Sequence, residues 1–508
     1  MNLLKVWLSI FSKFLLFIYL AHKLKKSFLF FIFLYSTEKI KISSNLMEKQ
    51  LHRDRKVKIV ATLGPASDTK SEIKKMFLGG ADIFRLNMSH GDHSAVKNRH
   101  NILRDLEKEF SRPICILADL QGPKLRCGNF EGTKVSLEEG QKFCFDLIEK
   151  LGNKERVCLP HPQIFQSVKK GDKLLIDDGK VALEVSRESA KKIECTVLND
   201  GIISDKKGVN CPDSILDLAP LTEKDKKDLE FVCTLGVDWI GLSFVQRAAD
   251  VDDVKKLLRG RAGIIAKIEK PAAVNVFDSI IDVSDGIMVA RGDLGVELPI
   301  EAVPPIQKRL VMKSRQMGKP VIVATQMMES MINSTTPTRA EVSDVAQAIY
   351  DGVDAVMLSA ETAIGAHPEK VIQAVDKIAI ETEKDPLYFQ NLEASRTISK
   401  EGVSNAITVA AREVADNINV KVICCFTHGG TTAELASRER PRAPIIALTP
   451  YTETARKLTL FWGLHCVVTT PVDRFKRAVM NAVKAAKLFD FASGKDLIIV
   501  IAGVPFNT

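Results

Sequence analysis

The chain has 508 residues, which is long enough for about three domains and for a large core without disulfides. Its composition, 27% charged and 45% hydrophobic, is that of a globular protein and excludes collagen-like and wholly disordered chains. Residues 1–46 contribute +6 of the formal net charge of +9, so the rest of the chain is nearly neutral and its charge gives no case for nucleic-acid binding.

The first 46 residues differ from everything that follows. They hold ten of the 32 aromatic residues and two short apolar runs, Val6–Leu20 and Ser27–Tyr35. Neither run provides the ~18 uninterrupted apolar residues of a membrane-spanning helix. Three interpretations compete: a weak membrane anchor, a targeting peptide, or translated upstream sequence with the true start at Met47. We favour the third, so we expect residues 1–46 to lie outside the fold and the protein to be cytoplasmic.

The ten cysteines are scattered, with no CxxC pair and no spacing typical of a metal site. Several stand inside apolar runs. We therefore predict buried thiols in a reducing compartment.

From residue 57 onward, short β-rich apolar runs alternate with helical stretches. Eight runs in this alternation predict an α/β fold, a (β/α)₈ barrel over residues 55–122 and 220–387. The runs are Lys58–Thr62, Asp82–Leu86, Ile114–Ala118, Trp239–Ser243, Ile264–Ile268, Gly286–Ala290, Val321–Thr325 and Ala355–Ser359.

Residues 123–219, which we call the lid, interrupt the barrel after its third strand. Alternating strand patterns with little helical periodicity predict a small inserted β-barrel domain there. Residues 388–508 return to apolar runs separated by helices, which predicts a parallel α/β domain.

Polar residues follow seven of the eight predicted barrel strands, at the end where a barrel of this kind carries its reactive groups. Their charges indicate an anionic substrate and a divalent metal. The residues are Arg85, Asn87, Ser89, His90, Asp119, Ser243, Lys267, Glu269, Asp293, Thr325, Ser359 and Glu361.

Lys267 and Glu269 lie on the same side of the fifth strand, since side chains alternate along a strand. Spacing alone also allows a plain ion pair inside the barrel. With Asp293 from the next strand, Glu269 completes the two carboxylates by which proteins usually hold Mg²⁺. Lys267 would then stand beside a transferring phosphoryl group.

Several motifs together resemble those of pyruvate kinase, in order, from about residue 55 to 503. The resemblance implies Mg²⁺-dependent phosphoryl transfer from phosphoenolpyruvate to ADP, giving pyruvate and ATP, with Mn²⁺ able to replace Mg²⁺. The motifs are KIVATLGPAS (58–67), RLNMSHG (85–91), KIE (267–269), ARGDLG (290–295), VATQM (323–327) and MLSAETA (357–363).

The resemblance also implies roles for single residues. Arg85 would bind the transferring phosphate, and Lys267 would stabilise the phosphoryl transition state. Glu269 and Asp293 would hold Mg²⁺. The substrate carboxylate would lie against the backbone of Gly292 and Asp293 and against the Thr325 hydroxyl, with Thr325, Ser359 and Glu361 near the route that protonates the enolate. The nucleotide phosphates would contact Asn87, Ser89, His90, Arg126 and Lys207 under a lid that closes over the barrel mouth.

One departure from the family pattern concerns K⁺. Family members bind it at the positions of Asn87, Ser89 and Asp119, but Leu120 replaces a threonine ligand and Lys124 replaces a nearby glutamate. An ammonium group in place of a carboxylate lets the protein supply its own cation. We therefore predict that K⁺ is dispensable, the alternative being that Lys124 simply points to solvent.

A second departure is that the chain ends at Thr508 without the final strand that the family usually has, so we expect an incomplete sheet edge in the C-terminal domain. A phosphate-type loop in this domain matches the region that binds sugar-phosphate or nucleotide effectors, although a bare turn into a helix has the same sequence. The loop residues are Thr427, Gly429, Gly430, Thr431 and Thr432. Family members are commonly homotetramers, which we expect here too.

Two other functions compete with the kinase. A metal-dependent pyruvate or phosphoenolpyruvate lyase or aldolase on the same barrel would share Glu269 and Asp293 but would need no lid carrying Arg126 and Lys207. A non-catalytic binding protein would not need Arg85, Lys267 and Thr325 to be intact.

Overall fold

The computed structural model describes residues 29–36, 52–89, 91–396 and 401–504, which fall into two units. The first holds residues 53–396 and 459–463, and the second holds 401–458 and 464–504 together with 29–36 and 52. The boundary lies later than the predicted residue 388. The helix Pro386–Ala394 belongs to the first unit because Tyr388 is buried there and its hydroxyl accepts a 2.8 Å hydrogen bond from Trp462 Nε1.

Eight parallel strands of the first unit close into a barrel in chain order, which confirms the predicted (β/α)₈ architecture. Nearly every strand residue is buried, as expected of parallel strands covered on both faces. The strands are Lys58–Leu63, Ile83–Asn87, Cys115–Asp119, Trp239–Leu242, Gly263–Ile268, Gly286–Ala290, Val321–Ala324 and Ala355–Leu358.

Helices surround the barrel, and their ends follow local sequence signals. Thr222 and Thr338 each cap a helix in a reciprocal capping box, and Gly236 ends a helix with a φ of 72°, a left-handed conformation that favours glycine. The helices are Lys70–Gly79, His93–Phe110, Glu223–Leu235, Ala248–Leu258, Pro271–Asn275, Phe277–Val283, Arg291–Glu297, Val303–Met317, Arg339–Tyr350, Ala360–Ala363, Pro368–Lys384 and Pro386–Ala394, with short 3₁₀ turns at Pro65–Ser67, Ile300–Ala302 and Glu329–Ile332.

The lid is all-β apart from the helix Pro162–Ser167, and its strands surround one apolar core. They form a six-stranded and a two-stranded sheet, and the two-stranded sheet pairs Lys134–Leu137 with Gly201–Ser204. The six-stranded sheet contains Val209–Asn210, Lys173–Ile176, Val181–Ser189, Lys192–Val197, Lys142–Asp146 and Arg156–Cys158, in that order.

The second unit is a five-stranded sheet with helices, and its four adjacent parallel strands confirm the predicted parallel α/β domain. The parallel strands are Leu497–Val504, Val422–Phe426, Ile445–Thr449 and Leu464–Val468, in spatial order. The helices are Val403–Asn417, Thr431–Arg438, Thr452–Leu458 and Phe475–Leu488.

The fifth strand of this sheet, Leu29–Ser36, corrects two predictions. It pairs antiparallel with Leu497–Val504 over eight residue pairs, from Leu29 opposite Val504 to Ser36 opposite Leu497. The prediction that residues 1–46 lie outside the fold is therefore wrong for this segment, and the expected gap at the sheet edge is filled. An apolar, β-rich segment satisfies the backbone N–H and C=O groups that the edge strand would otherwise expose. The run Val6–Leu20 lies outside the described residues.

The ten cysteines are free thiols, eight of them buried and Cys144 and Cys233 half-buried, in agreement with the prediction of reduced thiols. Within the described ranges, the helices are all too short or too polar to cross a bilayer.

Candidate active site

Asp119 lies at the centre of a buried charge cluster at the carboxyl end of the barrel. Its Oδ2 accepts a 2.7 Å hydrogen bond from Arg85 Nε, and its Oδ1 lies 3.2 Å from Lys267 Nζ. The residue is 1% exposed. Burial alone would raise the pKa of Asp119, but the adjacent Lys267 and Arg85 hold it below its ordinary value. Asp119 is therefore ionised, and it holds two cations on one side of the barrel mouth.

Lys267 contacts a second carboxylate and a hydroxyl as well. Its Nζ lies 2.9 Å from Glu269 Oε1 and donates to Ser243 Oγ at 2.8 Å. Burial lowers the pKa of Lys267, yet the two carboxylates outweigh it and the pKa is raised overall. Lys267 remains a cation at neutral pH, as the proposed role beside a phosphoryl group requires.

Glu269 faces Asp293, which stands on the helix after the next strand. Glu269 Oε2 accepts a 2.7 Å hydrogen bond from the Phe244 N–H. Burial, with a further contribution from the charge of Asp293, raises the pKa of Glu269 to about 7, although Lys267 acts to lower it. The charge of Asp293 disfavours a charge on Glu269, and a divalent cation held by both would relieve that repulsion. No cluster of three or more metal-type side chains occurs in the described part of the chain.

Thr325 has a strained backbone conformation at the end of the seventh strand. Its φ is 73° and that of Gln326 is 54°, a left-handed region that β-branched residues rarely adopt. The Thr325 hydroxyl accepts a 2.7 Å hydrogen bond from the Gly292 N–H and donates to the Ala324 carbonyl at 2.6 Å. A Cβ on Gly292 would lie 3.3 Å from that hydroxyl oxygen, so the glycine permits this close approach.

Arg291 holds the strained turn in place. Its Nη2 donates to the Thr325 carbonyl at 2.8 Å, and its Nη1 lies 2.6 Å from Asp344 Oδ1. The structure therefore places the two groups predicted to bind the substrate carboxylate side by side, on a turn fixed by a neighbouring ion pair.

Glu361 lies beneath the surface, where it connects the ends of the seventh and eighth strands. Its carboxylate accepts hydrogen bonds from the N–H groups of Met328 at 3.2 Å and Ser359 at 2.6 Å, and the residue is 2% exposed. Ser359 is half-buried beside it. Through these two hydrogen bonds, Glu361 holds the backbone that follows the seventh strand against the backbone that follows the eighth.

The residues predicted to bind the nucleotide lie in two parts of the chain, the end of the second barrel strand and the lid. Asn87 Oδ1 accepts a 3.1 Å hydrogen bond from the Ser89 N–H after the second strand, whereas His90 lies outside the described residues. Arg126 and Lys207 belong to the lid. Arg126 Nη1 donates to the Lys206 carbonyl at 2.8 Å, and Lys207 Nζ lies 2.7 Å from Asp177 Oδ1.

Lys124 is exposed at the base of the lid. It lines a cavity of about 600 Å³ together with Asp178 of the lid and with Gly292 and Asp293 of the barrel. Leu120, at the other altered position, is 1% exposed. The lid and the barrel therefore enclose a space into which both the metal-ligand helix and Lys124 face.

Two residues of the site had no assigned role in the sequence analysis: Thr62 was not singled out, and Ser243 was named only as a polar residue at a strand end. Thr62 Oγ1 accepts a 3.1 Å hydrogen bond from Arg85 Nη1, and Ser243 Oγ donates to the Leu120 carbonyl at 2.8 Å while it accepts from Lys267. The available signal was position alone, because both residues stand at barrel strand ends.

The predicted effector loop lies in the second unit, where a hydrogen bond within the loop closes a turn. The Gly430 N–H donates to Thr427 Oγ1 at 2.9 Å, and the Gly430 φ of 107° leads into the helix Thr431–Arg438. A Cβ on Gly430 would lie 3.0 Å from Glu434 Oε1. The geometry is that of a closed turn at a helix start.

Comparisons with known proteins identify the family of the chain. The family model described as "Pyruvate kinase, barrel domain" matches residues 54–372, and "Pyruvate kinase, alpha/beta domain" matches residues 405–508. A pyruvate kinase of Methylorubrum extorquens is 49% identical over 90% of this chain and 96% of its own, and one of Agrobacterium vitis is 48% identical over 90% and 97%. The crystal structure of a pyruvate kinase from Cryptosporidium parvum superposes with a TM-score of 0.86 at 35% identity, covering 90% of this chain and 95% of the other.

These relatives do not support the lyase or aldolase alternative. Matches to both domain families and to relatives of similar length lead to one conclusion: the chain belongs to the pyruvate kinase family.

Proposed function

We propose that the residues at the barrel mouth catalyse the pyruvate kinase reaction. In this reaction a phosphoryl group passes from phosphoenolpyruvate to ADP, which yields pyruvate and ATP. The observation that carries the proposal is the convergence of Arg85 and Lys267 on Asp119, next to the carboxylates of Glu269 and Asp293. This arrangement puts fixed positive charge beside a carboxylate pair, as phosphoryl transfer requires.

Glu269 and Asp293 would hold Mg²⁺, or Mn²⁺ in its place. When bound, the cation supplies positive charge to the phosphoryl oxygens. Arg85 binds the same phosphoryl group, and Lys267 keeps its charge beside it because Asp119 remains ionised. The backbone of Gly292 and Asp293 and the Thr325 hydroxyl would hold the substrate carboxylate, which would replace the hydrogen bonds that the Gly292 N–H and the Thr325 hydroxyl now donate within the turn.

Thr325, Ser359 and Glu361 would lie along the route that protonates the enolate. Glu361 acts there through the backbone of Met328 and Ser359, to which it is hydrogen-bonded. Asn87, Ser89, His90, Arg126 and Lys207 would bind the nucleotide phosphates. The lid would close over them and exclude water, so that the phosphoryl group passes to ADP.

We propose further that K⁺ is dispensable. Lys124 brings an ammonium group to the mouth cavity that contains Asp293, and Leu120 offers no hydroxyl ligand. Among the predicted K⁺ positions, Asp119 is already paired with two cations of the protein, Arg85 and Lys267.

Both proposals are tested by pyruvate formation from phosphoenolpyruvate, ADP and Mg²⁺, with and without K⁺. We expect Lys267→Met to lower kcat by about 10³-fold, since it removes charge that stabilises the transition state. Lys192→Met, at an exposed lid position, is the matched control and should keep full activity. Normal turnover by Lys267→Met would contradict the assigned role.

The potassium arm uses the parent protein and the double variant Leu120→Thr with Lys124→Glu. We expect the parent to be indifferent to K⁺ and the variant to require it, because the variant restores a hydroxyl and a carboxylate near the cation position. A parent that turns over only with K⁺ would overturn this proposal and leave the kinase assignment intact.

Three coarser expectations complete the proposal. The loop Thr427–Thr432 would bind a sugar-phosphate or nucleotide effector through the N–H groups at the start of its helix. The enzyme would be a homotetramer. The ten free thiols favour a reducing, cytoplasmic location.

A further inference from the structure

Glu297 is a buried carboxylate to which the proposed mechanism assigns no role. It ends the helix Arg291–Glu297 and is 7% exposed. Its Oε1 accepts hydrogen bonds from Lys270 Nζ at 2.5 Å and from Asn210 Nδ2 at 2.8 Å. Its Oε2 is buried and makes no hydrogen bond within the described part of the chain.

The three residues of this bridge come from the three segments that form the mouth. Lys270 directly follows Glu269, one proposed metal ligand. Glu297 ends the helix whose first turn carries Asp293, the other proposed ligand. Asn210 lies in the last strand of the lid, opposite Leu175. One carboxylate thus joins both metal-ligand segments to the lid.

Stability alone is a poor explanation for this bridge. A buried ion pair contributes little to stability compared with apolar residues of the same size, because both charges lose their hydration. The lid also has a neutral attachment of its own, since Gln246 exchanges two hydrogen bonds with the backbone of Leu216, at 3.3 and 2.9 Å. A side-chain amide is therefore enough to fasten the lid.

The bridge also faces the site. Lys270 and Asn210 line a small cavity together with Asp293 and Lys124. Cys211 lies beside the pair, and burial raises the pKa of its thiol to about 12, so it adds no charge there at neutral pH.

We propose that Glu297 is a positioning residue that couples the lid to the geometry of the metal ligands, through Asn210 on the lid side and Lys270 on the barrel side. With the lid in the described position, both donors hold Glu297, and the helix of Asp293 is fixed relative to Glu269. When the lid moves away, Glu297 loses Asn210 and the two carboxylates are less firmly oriented. By thermodynamic reciprocity, a cation bound between them favours the lid position that keeps the bridge.

The inference rests on the proposed metal ligands, and its test is binding of Mn²⁺ to the nucleotide-free protein, followed by electron paramagnetic resonance. We expect Asn210→Leu and Glu297→Gln to weaken Mn²⁺ binding by about tenfold, the usual cost of losing a group that orients a ligand. Hydrogen exchange of the lid strands should become faster in both variants.

Gln246→Leu is the matched control, because it removes a different attachment of the lid, the pair of hydrogen bonds to the Leu216 backbone, and leaves the bonds of Glu297 to Asn210 and Lys270 in place. Its lid strands should exchange faster while Mn²⁺ affinity stays that of the parent. If Mn²⁺ binding is weakened equally in Gln246→Leu, the effect comes from general lid mobility and the proposed coupling is wrong. The coupling is also wrong if Asn210→Leu binds Mn²⁺ with the affinity of the parent.

Two further variants separate a failure of the coupling from misfolding and from a wrong ligand assignment. If Glu297→Gln fails to fold, Asn210→Asp tests the same contact, since it sets a second carboxylate against Glu297 and should also weaken Mn²⁺ binding. Glu269→Gln should abolish Mn²⁺ binding altogether. If it does not, the ligand assignment fails, which is a different result from a failure of the coupling.

Discussion

At the scale of single residues, the site depends on charges that are buried in opposite pairs. Arg85 and Lys267 would repel each other, and Asp119 offsets that repulsion because it contacts both. The same ionised Asp119 and the nearby Glu269 keep Lys267 protonated despite its burial. The cation that we propose to face the phosphoryl group is therefore charged before any substrate arrives, so no proton has to move on binding.

Glu269 leads to a prediction about pH. Its pKa is raised to about 7, so in the metal-free protein it is protonated below that pH and must lose its proton to bind a cation. Competition by this proton should make Mn²⁺ affinity about tenfold weaker at pH 6 than at pH 8. Titration of the metal-free enzyme with Mn²⁺ at both pH values measures this directly. Equal affinities, or tighter binding at pH 6, would contradict it.

At the scale of elements, the strand Leu29–Ser36 gives part of the N-terminal segment a structural role, as the edge strand of the second unit's sheet. Its eight residue pairs with Leu497–Val504 cover the edge of a sheet whose Ile498–Ala502 is wholly buried. Uncovered edges of apolar strands pair with other chains. The segment therefore protects the second unit as well as extending its sheet.

Removal of residues 1–46 should destabilise the second unit for that reason. We expect the variant that begins at Met47 to lose on the order of 3 kcal/mol in the free energy of unfolding of that unit, the net value of several backbone hydrogen bonds. It should also self-associate as its concentration rises. Urea unfolding and size-exclusion chromatography measure the two effects.

A chain that lacks only residues 1–26 keeps the strand and serves as the control, which should behave like the parent. An unchanged unfolding midpoint and a single sharp elution peak for the Met47 variant would show that the strand contributes nothing, and would favour the start-site interpretation of residues 1–46.

At the scale of the whole molecule, local patterns in the sequence were sufficient for the barrel and for most of its mouth. The eight apolar runs gave the strand order, and each strand end that carried a charge proved to lie at the mouth, because parallel strands in a barrel end on one face. Arg85, Lys267 and Glu269 could be chosen from position and residue type alone.

The features that were missed depend on contacts between distant parts of the chain. The strand Leu29–Ser36 pairs with residues near the opposite end of the sequence, and Glu297 meets Asn210 across an inserted module. The strained φ of Thr325 has no local signal, since threonine is an unusual choice for that conformation. The boundary near residue 388 was misplaced because Tyr388 packs against Trp462, far along the sequence.

The pairing of Leu29–Ser36 with Leu497–Val504 also orders events during translation. A ribosome makes Leu29–Ser36 before the barrel and Leu497–Val504 after it, so the first strand has no partner in this sheet while the barrel and most of the second unit are made. Emerging domains fold in order from the N-terminus, which leaves time for the barrel to form in the interval. The sheet of the second unit can therefore be completed only after Leu497–Val504 has been made, although its first strand was made before the barrel.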